Sequence, residues 1–90
     1  MELNELIDIL EKYTKMYEDC PRDDLKDNVS AMLKQRKIKA PLQWTARVLN
    51  KKYGTVGSYR KMDGNCYSLL DILKLSRELN EPLENFFTKH

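Results

Sequence analysis

Glycine, proline and cysteine are scarce in this chain of 90 residues, which holds three, three and two of them. So few breakers leave no room for a low-complexity tract or a flexible linker. Cys20 and Cys66 stand alone, without C-x-x-C spacing, so neither a disulfide framework nor a zinc site is expected. Each cysteine is read as a small, half-buried residue. Histidine is scarcer still: the single one, His90, is the last residue. No imidazole is therefore positioned for a metal site or for a Ser/His or Cys/His pair. Apolar residues never run longer than three, as in Ala31-Met32-Leu33, whereas a membrane span takes roughly 20. The N-terminus carries acids where a secretory signal carries Lys or Arg. The expectation is a reduced, soluble, cytoplasmic domain without catalysis, metal or cofactor.

The most informative absence is one of charge. Residues 1–27 carry nine acids and four bases, residues 63–90 five acids and three bases, and residues 28–62 nine bases with no acid. The net charge of +2 conceals this basic middle third. An ordinary solvated face mixes both signs, so the missing acids point to a polyanionic partner, nucleic acid above all.

What is present reads as helix almost throughout. Leu3, Leu6, Leu10, Tyr13 and Tyr17 form one stripe along a helix from Glu2 to Glu18. That stripe suits packing on its own domain and equally a seam between two chains, which makes these five the candidate dimerisation residues. Pro21 ends the pattern, so residues 1–22 are read as an N-terminal amphipathic helix with its connection and 23–90 as the main domain. Asp23 or Asp24 is expected to cap a second helix with Leu25, Val29, Met32 and Leu33 on its inner face. Pro41 opens a third helix, with Leu42, Thr45, Ala46 and Leu49 inside and Trp44 and Val48 at the edges. It ends between Asn50 and Gly54, and Gly54 can take the left-handed conformation that closes a helix. Thr55 then caps a short fourth helix whose inner residues are Val56, Tyr59 and Met62. Gly54-Thr-Val-Gly57 has the GxxG spacing of a KH-type RNA loop, but that domain needs strands and none are indicated, so both glycines are read as turn residues. Asp63-Gly64-Asn65 is a turn. Ser68, with Asp71 at the capping-box spacing, caps a fifth helix carrying Leu69, Ile72, Leu73, Leu75, Ser76 and Leu79, which Asn80-Glu81-Pro82 stops. A last half-helix folds Leu83, Phe86 and Phe87 inward.

Inside the basic third, a helix, a turn and a second short helix follow one another. Such a second helix fits the major groove of B-DNA, with Ser58, Arg60 and Lys61 outward and Thr55 at its start as candidate base-edge contacts. Lys51 and Lys52 are placed to neutralise phosphates, and Lys39 joins them as a candidate DNA-binding residue.

The segment from Tyr59 to Phe87 resembles the C-terminal half of phage-repressor-like helix-turn-helix domains of the Cro/C1, or XRE, type. Tyr59 and Met62 match that family's inward positions, Gly64 its turn, Ser68-Leu69 the start of its fourth helix, and Leu83 with Phe86-Phe87 its ending. Met32-Leu33-Lys34-Gln35-Arg36-Lys37 looks like its first helix and Ala46-Arg-Val-Leu49 like its second. Where the family has Ser/Thr-Gln opening the second helix, this chain has Pro41-Leu42-Gln43, which leaves Gln43 as the substitute for the glutamine that grips DNA backbone. The resemblance covers residues 25–87 and implies an all-α, five-helix lambda-repressor-like fold, here with an extra N-terminal helix. It implies a sequence-specific regulator of bacterial or phage type, a repressor, acting on double-stranded DNA as a homodimer. The alternative is the same fold used as a module that binds a protein partner, as an inhibitor or antitoxin does.

Overall fold

The computed structural model describes residues 2–61 and 66–88. It is all-helical: α1 (Leu3–Asp19), α2 (Arg22–Gln35), α3 (Pro41–Leu49), α4 (Tyr53–Lys61) and α5 (Leu69–Leu79) are followed by a single 3-10 turn, Leu83–Phe86. Among the described residues there is no strand, and no helix is long and apolar enough to cross a membrane. The expected turn at Asp63-Gly64-Asn65 and the inward Met62 lie outside the described residues.

The core is built largely where the apolar periodicities place it, although Leu42 and Leu69, both expected inside, are only half-buried because they sit at the surface ends of α3 and α5. Leu25, Val29, Met32 and Leu33 of α2 are buried together with Leu49 of α3, Val56 and Tyr59 of α4, and Ile72, Leu75 and Leu79 of α5. Leu83 and Phe86 close the far end, and the buried Asn28 side chain donates to Phe86 O at 2.9 Å, which pins the terminal turn to α2. Cys20 is buried, 6% exposed, rather than half-buried, because the chain doubles back between α1 and α2 directly over the core.

Three helix ends use one device. At α2, α3 and α5 a non-glycine residue turns left-handed: Lys37 at φ 54°, Asn50 at φ 55° and Asn80 at φ 50°. The next residue's N–H then reaches back five positions, Ile38 to Leu33 O, Lys51 to Ala46 O and Glu81 to Ser76 O, at 3.0–3.1 Å. This paired closure satisfies carbonyls that a helix end otherwise leaves bare. It also corrects two expectations. The end of α3 falls within the expected range, but Asn50 rather than Gly54 is the left-handed residue that closes it, because Asn tolerates that region through local hydrogen bonding. With the chain reversed there, Val56 N–H bonds to Lys52 O and α4 begins at Tyr53. Gly54 and Gly57 are thus helical residues rather than turn residues, and Thr55 is the third residue of α4 rather than its cap.

A third correction concerns α2, which starts at Arg22 with Pro21 at its N-cap and no side-chain cap. Pro21 is already held near the φ the helix entrance requires, so Asp23 and Asp24 fall in the first turn and act on the helix dipole instead. Two expectations hold in full. Pro41 is the first residue of α3. Ser68 Oγ accepts the Asp71 N–H at 3.1 Å while Asp71 Oδ2 accepts the Ser68 N–H at 3.0 Å, a complete capping box on α5.

Candidate nucleic-acid interface

The site starts from the acid-free stretch. Its residues fold into the end of α2, the link 36–40, α3, and α4, so cations far apart along the chain come onto one surface. Four shallow concavities mark that surface. One lies between Ser30, Lys34 and Lys37 of the α2 end and Arg60 of α4. A second, at the start of α3, touches Ala40, Pro41, Gln43, Tyr53 and Arg60. A third is formed by Leu42, Gly57, Arg60 and Lys61. The fourth runs from Lys39 and Gln43 to Trp44 and Arg47. Arg60 belongs to three of them, and Ala40 and Gln43 to two, so the four adjoin. Six cations line the series and no acid does.

The start of α3 sits at the middle of this shelf. Ala40 enters the helix left-handed, at φ 48° and ψ 61°, directly before Pro41. A residue before proline is ordinarily pushed to extended backbone, and an alanine in the left-handed region is strained. The strained entry turns α3 so that Lys39 and Gln43 are both exposed on the same concavity. No side chain caps this N-terminus. A helix start with free N–H groups favours negative charge beside it.

The expected contacts divide into two groups. Lys39, Gln43, Lys52 and Lys61 are exposed, and Arg60 is half-buried but lines the shelf. Lys51 and Ser58 are turned to internal duties. Lys51 Nζ lies 3.9 Å from Asp71 Oδ1 and 5.7 Å from the centre of the Tyr59 ring. The Tyr59 hydroxyl, first, and the Asp71 carboxylate hold its ammonium charged and push its pKa up. Ser58 Oγ donates to Gly54 O at 3.2 Å, back along α4. Thr55 is half-buried. Arg47, exposed beside Trp44, was not singled out in the sequence beyond its charge. Its position three residues into the outer face of α3, counted from Trp44, was the available signal.

The five-residue stripe on α1 also divides. Tyr13 and Tyr17 dock: Tyr17 OH donates to Tyr67 O at 2.6 Å, and Tyr13 OH to Glu84 Oε1 at 3.0 Å. Arg22 stacks on the Tyr17 ring at 3.9 Å and locks the docked end of the helix. Leu3, Leu6 and Leu10 remain 70%, 42% and 44% exposed, with Ile7 beside them. No residue of α1 is buried. No metal-binding cluster of His, Cys, Asp and Glu occurs among the described residues.

Compared with models of protein families, with curated proteins and with solved structures, the chain finds no match.

Proposed function

We propose that the protein is a DNA-binding regulator of the phage-repressor-like type, with α3 and α4 as its helix-turn-helix and α4 as the helix offered to the major groove. The observation that carries this reading is the shelf itself: six cations on adjoining concavities, no acid among them, centred on the exposed start of α3. In this reading Lys39, Gln43 and Arg47 hold backbone phosphates beside the α3 N-terminus, Lys52 holds one beyond the turn, and Lys61 and Arg60 meet the groove. Lys51 serves the fold instead, by tying α4 to the buried Asp71. Occupying an operator in this way makes the protein a repressor.

Each phosphate neutralised on duplex DNA contributes about −0.9 to the slope of log K against log salt. The variant Lys39→Ala/Lys52→Ala is expected to flatten that slope by one to two units and to weaken all sequences alike, roughly as two phosphate contacts require. Fluorescence anisotropy on an operator-like and a random duplex, across a salt series, reads both. A wild-type protein that binds neither duplex at low salt would sink the proposal.

We further propose that two copies pair through the free half of α1. The exposed leucines favour it, since unpartnered apolar faces of this kind mark interaction surfaces. Leu10→Glu is expected to give a folded monomer with an unchanged melt; light scattering with thermal melting checks it. The same exposed leucines favour the second reading, a module that binds a protein partner. A wild-type chain that is monomeric and indifferent to DNA would move that reading ahead.

A further inference from the structure

One concavity on the basic shelf is unlike the other three. It is the largest of the four, about 480 Å³, within the 300–1,000 Å³ typical of small-molecule sites. Its floor is aliphatic: Leu33, which is 2% exposed, with the half-buried Ile38 and Pro41. Its polar lining is Lys34, Lys37, Arg60 and the hydroxyl-bearing Ser30.

The cations there lack the neighbour that cations usually have. Arg36, in the same turn, is paired with Glu81. Neither Lys34, Lys37 nor Arg60 forms an ion pair with an acid among the described residues. Three positive charges gathered around an apolar hollow repel one another, and an anion in the hollow relieves that repulsion. Part of the rim is set by backbone as well as by side chains. Lys37 sits at φ 54° with its N–H on Lys34 O at 3.0 Å, and the Ile38 N–H on Leu33 O holds the floor beneath it. The hollow is therefore formed in advance of any ligand.

We propose that this hollow is a binding site for a small phosphomonoester with an apolar body. The phosphate would lie among Lys34, Lys37 and Arg60 with Ser30 as a hydroxyl partner, and the apolar body on Leu33, Ile38 and Pro41. A bare phosphate satisfies the cations but leaves the aliphatic floor wet, so the site favours a ligand that is anionic at one end only. This goes beyond the reading of the protein as a DNA-binding regulator, and it stands or falls on the DNA-free protein.

The test uses the full chain and three probes: 1-naphthyl phosphate, inorganic phosphate and 1-naphthol. Methyl resonances of Leu33 and Ile38 are followed by NMR during titration. Saturable shifts with 1-naphthyl phosphate are expected, with inorganic phosphate and 1-naphthol each at least tenfold weaker. Lys34→Gln/Lys37→Asn, which keeps a residue tolerant of the left-handed backbone at position 37, is expected to lose at least tenfold in affinity. Lys52→Gln, at a cation that does not line the hollow, is expected to leave it unchanged. No saturation with 1-naphthyl phosphate would overturn the proposal, as would equal losses in the two variants, which would mean general attraction to a basic surface. Inorganic phosphate binding as tightly as 1-naphthyl phosphate, together with a short duplex shifting the same methyls, would assign the cations to DNA backbone instead and overturn it too.

Discussion

Helices α4 and α5 both pack on α3 and have similar lengths, nine and eleven residues, yet they are helices for opposite reasons. α5 is specified by its own sequence. It has a complete capping box at Ser68 and Asp71, a left-handed Asn80 at its end, and Asp71, Ile72, Leu75 and Leu79 buried along one side. α4 has two glycines among its nine residues, and only Val56 and Tyr59 are buried. A helix of that composition is held by what it packs on rather than by propensity. Its outer residues are then free to be chosen for something other than stability. The contrast separates two sources of helicity: α5 carries its own caps and inner face, whereas α4 depends on the body it packs on.

The strongest way to break the contrast is to empty the inner face of α5. Leu75 is fully buried, so Leu75→Ala removes apolar contact and leaves a cavity, at a loss of about 2–5 kcal/mol. Urea unfolding reads it. A loss below about 1 kcal/mol would remove α5 from the core and the comparison with it.

A smaller effect comes from the joint between the two helices. Tyr67, 1% exposed just before α5, packs edge-on against Tyr59 of α4 with ring centres 5.4 Å apart. Burial, first, and then the negative charge of Asp71 and Tyr59 push its pKa up to about 12, against the nearby Arg60, which lowers it. The fold holds the neutral phenol. Unfolded, the group ionises near 10, so its contribution is full below pH 10 and is lost as pH rises through about 12. The loss is on the order of 2–3 kcal/mol across that window. Tyr67→Phe is expected to flatten this part of the alkaline unfolding curve, and to melt no lower than wild type at neutral pH. Its hydroxyl has no hydrogen-bond partner among the described residues, so nothing there is broken. An alkaline limb as steep in the Phe variant as in wild type would assign the titration to another group.

The two helices also differ in how far they could be read. α5 was legible from cap to stop, because Ser68, the Leu/Ile spacing and Asn80-Glu81-Pro82 each have a local cause. α4 was legible only in part. Its inner Val56 and Tyr59 follow from spacing, but its start does not, since Asn50 and Gly54 both tolerate the left-handed turn and only tertiary packing chooses. Asp71 was legible as a cap. Its second oxygen, turned toward Lys51 across 3.9 Å, was not, because nothing local links residues 51 and 71. The stripe on α1 shows the same boundary. Leu3 to Tyr17 share one periodicity, yet Tyr13 and Tyr17 dock while the leucines do not. Periodicity reports a face and is silent on how far the body beneath it extends. The basic surface was legible as a composition, but which cations point outward depended on the turn at Asn50.

The smallest expected change sharpens the comparison most directly. Gly57 lies in the middle of α4, half-buried, and a methyl added there would meet only Leu42 Cδ2, at 3.9 Å, an ordinary contact. Nothing inside the molecule therefore requires glycine at this position. Replacing a helical glycine by alanine restricts the unfolded chain and is expected to stabilise by about 0.5–1 kcal/mol. Gly57→Ala should accordingly melt slightly higher than wild type. If α4 is held loosely for the sake of its outer face, the same methyl stands on the concavity shared with Arg60 and Lys61 and should weaken duplex binding. Gly54→Ala, where an added methyl meets nothing within 4 Å, provides the neighbouring comparison on the same helix. Melting and anisotropy measured on both variants separate the two demands. A gain in stability with a loss in binding means that glycine serves the partner and not the fold. A gain in stability with binding unchanged in both variants would take α4 away from the DNA and return the contrast with α5 to a matter of packing alone.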